Sequence, residues 1–472
     1  MPFPEPITTH DAPGTFIHRT MNIRIPQILR NVIQAHRLIF PSAMLEELNS
    51  LLNEMTTSVP IQFLTGTCPP PDPQWNLDPW QTRFDTLIPS GRGWRDHLPW
   101  YFVEVLFYRR VLSITNFYGE RRGVSPAIDR FLHYDPFSPS KQAELASESS
   151  LCLLMNTLAW AAQVDIPFGE QLAGLLNRDL WGNQADLSFS GGLNTSSAAA
   201  SSHASRKDMI LVDDTEVITG HMCGLAWPGR VDFICDNVGA ELLMDLVLAV
   251  CLLRRCPAGL VRLHVKDAPL FVSDTTPADV RATLAYLRRM ANDPTGDFPR
   301  FAALHREHPG LLADFVGFLE ERVVLPLDDH GPAPTECSRA PGRIHICPHP
   351  FWNGPAFFHE PQAMPAHLRA LFGASSDAVL VKGDANYRRL VGDSRLWDPE
   401  TPAGPVFSAS FPREEVTGAV RAPLLVAALR TLKSEPIVGL PPGLATKLDA
   451  SPAETDWRSN GKHGIIQAVM LN

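Results

Sequence analysis

VDFICDNVGAELLMDLVLAVCLLRR, residues 231–255, decides the fold. Val231–Cys235 is a short, mostly apolar, β-branched run that reads as a strand. From Gly239 to Arg255 the chain is apolar on nearly every side, as in a buried helix. Between them lies a polar turn, Asp236-Asn237-Val238. Runs like the first recur at Met209–Val212, Val261–Val265, Phe271–Val272, Arg343–Ile346 and Ala378–Val381. Helical patterns follow at Pro277–Met290 and Ala366–Phe372. Strands apolar on both faces, alternating with helices, predict an α/β fold: a Rossmann-like, mostly parallel sheet covered by helices on both faces.

Upstream the period is different. Ile25–His36, Ala43–Met55, Trp100–Ile114 and Leu151–Ala162 have apolar residues at helical spacing, and strand-like alternation is scarce. FSGGLNTSSAAASSHAS (189–205) is small-sided and almost uncharged, too poor in apolar bulk to build a core. The expected organisation is a mainly helical N-terminal domain (1–186), a flexible Ser/Ala/Gly-rich loop (187–208) and an α/β domain (209–472).

The whole chain narrows the function. Hydrophobic residues make up 44% and charged residues 19% of its 472 residues, the balance of an ordinary globular protein. Forty-one basic against 51 acidic residues give a net charge of −10, which argues against nucleic-acid binding. The longest apolar run, Leu242–Leu253, is broken by Asp245 and too short to span a bilayer, so no membrane partner is expected. The start, MPFPEPITTHD, lacks the basic and apolar regions of a secretory signal. Eight scattered cysteines with no CxxC pair fit a reducing setting, so a cytoplasmic location is expected, with the nucleus as a further compartment. Nothing in the sequence sets an oligomeric state.

Acidic residues gather where strands end. Asp213-Asp214, Asp236-Asn237, Asp274 and Asp384 all lie at or just past such ends, where ligands bind in open α/β sheets. A single Asp there usually caps the next helix. Several together repel, and a bound cation resolves the repulsion. Asp236, Asn237 and Asp274 would form an all-oxygen set suited to Mg²⁺ or Mn²⁺, and also to Co²⁺ or Ni²⁺, with positions left open for substrate. Glu241, four residues after Asn237, shares its helix face and would reach a metal ligand or a substrate hydroxyl; otherwise it is a first-turn acid favouring the helix dipole.

Lys382, Arg388, Arg389, Arg430 and Lys433 supply positive charge. Lys382 ends an apolar strand, where a buried cation needs an anion. The RTLK stretch Arg430–Lys433 follows the apolar run Leu424–Leu429 in the same way. A phosphate would satisfy both. His345-Ile346-Cys347-Pro348-His349 reads as ordinary strand and turn packing. No G-x-S-x-G elbow, H-E-x-x-H helix or Walker A loop is present, nor a Gly-rich turn for a dinucleotide.

These residues resemble the metal-dependent damage-control phosphatases, in the subfamily also described as protein-glutamate O-methyltransferases. GTFIHRTMNIRIPQIL (14–29) is similar to that family's opening segment, LPWYFVEVLFYRR (98–110) to its helical-domain signature and LWGNQADLS (180–188) to the stretch before its variable loop. ILVDDTE, FICDNVGAELLMDL, FVSDTTPAD, HPFWNGP, KGDANYRRLVGD and RTLKSEPIVGL then follow in the family's order. The resemblance implies metal binding at Asp236, Asn237 and Asp274. It implies substrate binding at Asp384, Ala385, Asn386, Tyr387 and Arg388, and at Lys433. Asp236, Asn237 and Glu241 match positions associated with substrate or with proposed S-adenosylmethionine contacts. The implied activity is hydrolysis of small sugar phosphates, such as fructose 1-phosphate and fructose 6-phosphate, supported by Mn²⁺, Co²⁺ or Ni²⁺. Ala385 and the Ser/Ala-rich loop depart from the pattern, which bears on substrate preference rather than activity.

The expected mechanism has the cation at a phosphoryl oxygen. Lys433 and Arg388, with Lys382, neutralise the other oxygens, and Asp384 and Asn386 meet sugar hydroxyls. The attacking group is either an activated water or the carboxylate of Asp236, so Asp236 and Lys433 are the catalytic candidates. Two rivals stand beside this reading. An S-adenosylmethionine-dependent carboxyl methyltransferase would want a glycine-rich turn and has no evident use for Lys382, Arg388 and Lys433. A non-catalytic sugar-phosphate-binding protein would keep the pocket without turnover.

Overall fold

The computed structural model describes residues 2–9, 15–57, 59–63, 77–182, 206–224, 229–293, 298–327, 340–361, 363–412 and 423–472. The Ser/Ala/Gly-rich segment expected at 187–208 lies almost wholly outside these residues.

Eight strands form one sheet: β1 (Ile210–Asp213), β2 (Arg230–Ile234), β3 (Leu260–Val265), β4 (Val323–Val324), β5 (Arg343–Pro348), β6 (Ala378–Lys382), β7 (Leu424–Thr431) and β8 (Gly464–Leu471). Their order is β1-β8-β7-β6-β2-β3-β5-β4. Every neighbouring pair is parallel except β7 and β8. Strands β8 and β1 therefore run against the other six. The carboxyl ends of β2, β3, β6 and β7 share one edge of the sheet.

Alternation along the strands feeds two cores. Val231, Phe233 and Cys235 point to a cluster shared with the helices Glu148–Ala161, Phe168–Gly182, Ala240–Arg255, Pro277–Asn292 and Leu311–Arg322. Ile234, Val379 and Val381 point the opposite way, against the helices Ala366–Ser375, Gly383–Val391 and Ala403–Ser410. Both faces are covered, as fully apolar strands require. The helix Ala240–Arg255 is buried through Leu253, so truncating a core residue such as Leu246 to Ala costs about 2–5 kcal/mol.

A third cluster gathers the helices Ile25–His36, Ser42–Thr56 and Trp100–Ile114 around Ala268, Leu270, Phe271 and Val272. The helical first part of the chain is thus not one block. Its helices up to Ile114 form their own core on the loop after β3, whereas Glu148–Ala161 and Phe168–Gly182 pack on the sheet.

Three local readings change. Phe271–Val272 is not a strand: both residues have positive φ, 49° and 72°, in a turn. A β-branched residue in that region is strained and needs its surroundings to hold it. Asp213 ends a strand and Asp214 follows it, but β1 runs with β8 against the other six strands, so this pair lies at the far edge. There Asp213 accepts from the Thr215 N–H and Asp214 from the Ala468 N–H. Cys347 is disulfide-bonded, against the expectation of unpaired thiols, while Cys152, Cys223, Cys235, Cys251 and Cys256 are free. Among the described residues no helix is long and apolar enough to cross a membrane.

Candidate active site

Strand register brings the acidic and glycine-bearing turns together. Ile234 pairs with Val381 on one side and His264 on the other. Two residues further along, Asp236 lies against Gly383, while Thr275 bridges it to β3: the Thr275 N–H donates to Asp236 O and the Lys266 N–H to Thr275 O. Gly383 has φ 78°, and a Cβ placed on it would stand 1.8 Å from Asp236 Oδ2. Only glycine supplies both the backbone angle and the space.

Asp274 arrives from the strained turn after β3. Its backbone forms an isolated antiparallel bridge with Asn237. The Val238 N–H donates to Ser273 O at 2.8 Å and the Thr275 N–H to Asp236 O at 2.8 Å. From the helical side, Lys141 Nζ donates to Asp274 O at 2.9 Å. These bonds hold the turn that Phe271 and Val272 would otherwise relax.

The donor set fits a hard divalent cation. Asp236, Asn237 and Asp274 are at most 5% exposed and offer oxygen ligands from adjoining backbones. Asn237 Nδ2 donates to Asp236 Oδ2 and to Glu241 Oε2, each at 3.0 Å, and its Oδ1 accepts from Ser273 Oγ at 2.6 Å. The amide is thereby oriented with its oxygen away from Glu241. Among the described residues no three His, Cys, Asp or Glu side chains form a metal-binding group, so the third oxygen of this set would have to come from Asn237.

Phe16, Arg24, Trp100, Glu104, Asp236, Asn237, Phe271, Asp274, Asp384, Ala385, Arg388 and Lys433 line one pocket. Asp384 Oδ1 accepts from Arg430 Nε at 2.7 Å and from the Lys433 N–H at 3.1 Å. Burial alone would raise its pKa, but Arg430 and Arg388 outweigh burial and hold the carboxyl below its ordinary value. Arg388 donates to Asp393 at 2.7 Å and to Glu104 at 2.7 Å, and stacks 3.8 Å from the Trp100 ring centre. Burial works against that cation, yet Asp393 and Glu104 raise its pKa above the usual range. Glu104 also accepts from Arg24 at 2.8 Å. Arg24 ends a π-helical turn, Thr20–Arg24, a distortion frequent at functional sites.

Other expected residues stand behind the pocket wall. Lys382 Nζ, fully buried, reaches Asp179 at 2.7 Å, Asp245 at 2.8 Å and Glu241 at 3.3 Å. Its anionic partners are thus three carboxylates of the protein rather than a phosphate. Burial opposes the charged lysine, but Asp179, Asp245 and Glu241 raise its pKa well above normal. Arg430 holds Asp384 and the carbonyls of Ser434 and Pro436. Asn386 donates to the carbonyls of Cys235 and Lys382 and accepts from Lys266 Nζ. Tyr387 OH bonds Gln467 and Val438. Arg389 donates to the carbonyls of Trp352 and Ala356.

Sequence reasoning assigned no role to Phe16, Arg24, Trp100, Glu104, Phe271 or Lys266. One signal was present: Glu104 interrupts the apolar stretch Trp100–Tyr108, where a buried carboxylate must find a cation.

The geometry can be set beside known proteins. A family model described as the damage-control phosphatase ARMT1-like domain matches residues 20–448. The chain is 31% identical over 490 residues to Damage-control phosphatase ARMT1 of Xenopus laevis, covering 96% of each chain. Its identity to the proteins of that name from Mus musculus and Homo sapiens is 32% over 487 residues and 30% over 489 residues, again at 96% of each chain. A solved DUF89 family protein from Pyrococcus horikoshii aligns with a TM-score of 0.36 and 12% identity, covering 78% of this chain and 82% of that one.

Proposed function

Because the chain belongs to the ARMT1-like damage-control phosphatase family, we propose that it removes phosphate from small sugar phosphates, fructose 1-phosphate and fructose 6-phosphate among them, with a divalent cation held by Asp236, Asn237 and Asp274. That it is a phosphatase follows from the membership, and the family is generally metal-dependent. The substrate, the ion and the residue roles are the proposal.

One observation carries it. An oxygen-rich corner of Asp236, Asn237 and Asp274 and a cationic wall of Arg388 and Lys433 line the same pocket. A phosphate ester needs both, because its transition state spreads negative charge over several oxygens and little else must be done for it. A divalent cation held there (Mn²⁺, Co²⁺ or Ni²⁺, with Mg²⁺ also suited to these donors) would supply positive charge at one phosphoryl oxygen. Lys433 neutralises a second. Arg388 lends a fixed guanidinium edge, since Asp393, Glu104 and the Trp100 ring leave it little freedom. Asp384, kept ionised by Arg430, accepts from a sugar hydroxyl. Phe16, Trp100 and Phe271 give apolar walls for the carbon face of a small sugar.

Phosphate release from a panel of sugar phosphates, with each metal in turn, tests the proposal. Release with fructose 1-phosphate or fructose 6-phosphate supports it. Labelled methyl transfer from S-adenosylmethionine with no phosphate release would replace it.

A further inference from the structure

Lys266 follows β3 directly and is only 2% exposed, yet it is absent from the pocket lining. Its ammonium lies 3.3 Å from Asp274 Oδ2 and donates to Asn386 Oδ1 at 3.1 Å. Its own N–H donates to Thr275 O at 2.9 Å. Asn386 in turn holds the carbonyls of Cys235 and Lys382, the residues that precede Asp236 and Gly383. One side chain therefore ties the turn carrying Asp274 to the backbone carrying Asp236.

A cation that touches a ligand carboxylate from outside the substrate's cavity has two consequences. It balances charge where Asp236 and Asp274 converge, so the pair is assembled before any divalent ion arrives. It also opposes that ion, because like charges at short range inside a protein repel strongly. We propose that Lys266 is a positioning residue that preforms the Asp236–Asp274 site and weakens its hold on the divalent cation. The inference rests on the cation reading above. Removing this positive charge strengthens cation binding by on the order of tenfold or more, whereas a purely structural lysine would weaken binding when lost.

The test is calorimetric titration of Mn²⁺ into the metal-free full-length protein, with thermal unfolding measured without and with Mn²⁺. Lys266→Met should bind Mn²⁺ about tenfold or more tightly than wild type. Its metal-free Tm should fall, and the rise in Tm on adding Mn²⁺ should grow. Lys266→Arg, which keeps the charge, should bind within about threefold of wild type. Lys266→Gln, which keeps a donor for Asn386, carries the same expectation as Lys266→Met and serves if that variant does not fold. Equal or weaker Mn²⁺ binding by the neutral variants overturns the inference while leaving the cation site standing. No Mn²⁺ binding by the wild type overturns both.

Discussion

Asp384 accepts a hydrogen bond from the Lys433 backbone N–H, 3.1 Å away, so the acid at the start of one helix fixes where the lysine after β7 begins. Arg430, from the end of β7, grips the same carboxylate oxygen at 2.7 Å. Two stretches about fifty residues apart thus become one cationic wall. Removing a preorganised charge contact costs about 3–4 kcal/mol in the transition state, on the order of 10²–10³ in rate. Lys433→Ala should lower kcat/KM by at least about 10²-fold. Asp384→Ala should also lower it, with Lys433 still present. Steady-state phosphate release checks both, and near-wild-type turnover by Lys433→Ala would sink its assignment.

Gly383 sets a second expectation. Gly383→Ala forces the new methyl into the Asp236 carboxylate at a backbone angle that alanine disfavours. Since backbone and carboxylate on both sides are packed, Asp236 must move. Mn²⁺ affinity and kcat/KM should fall together, each by about tenfold or more. A variant that keeps its Mn²⁺ affinity would show that the close approach does not matter.

Arg388 is held on three sides, and its loss leaves Glu104 and Asp393 buried. Removing one partner of such a group costs about 3–5 kcal/mol. Arg388→Met should therefore lose that much stability in urea titration and lose activity as well. Lys433→Met should lose activity with a much smaller stability change. Equal stability losses in the two variants would contradict the division of roles.

A pH dependence follows from Asp179. Burial raises its pKa to about 6, against the opposing effect of Lys382. An unfolded Asp ionises near 3.8. The folded state therefore binds the extra proton between these values, and stability from this group is fully present below about pH 4 and lost as pH rises through about 6. Asp179→Asn has no proton to lose. Its stability relative to wild type should rise by on the order of 1 kcal/mol or more between about pH 4 and pH 7. Urea midpoints at both ends check this, and a constant difference would show that Asp179 does not titrate in that window.

How much was legible depended on whether the signal was local. Apolar strands running into polar turns exposed β2, β3, β5 and β6, and the acids Asp236 and Asp384 after β2 and β6, because burial on both faces leaves a continuous apolar run. The apolar run Leu424–Leu429 of β7 was seen but not read as a strand, and β8, Gly464–Leu471, went unread. The reversal of β8 and β1 depends on pairing between distant segments, so nothing near Asp213 shows that it faces away from Asp236. Phe271–Val272 looked like a strand because both residues favour one; only the tertiary contacts of the Asp274 turn hold them at positive φ. Lys382 was recognised as a buried cation, but its partners Asp179 and Asp245 lie 203 and 137 residues away in sequence. The same distance hid the Arg24–Glu104–Arg388 ladder.

Phosphate release from fructose 1-phosphate by chelator-treated protein, with and without Mn²⁺, Co²⁺ or Ni²⁺, for wild type and Asp274→Ala, tests the central claim most directly. The wild type should be inactive without metal and recover with it, while Asp274→Ala stays at least about 10²-fold lower in kcat/KM. Full activity of the wild type in excess chelator, or near-wild-type turnover by Asp274→Ala, would contradict a cation held by Asp236, Asn237 and Asp274.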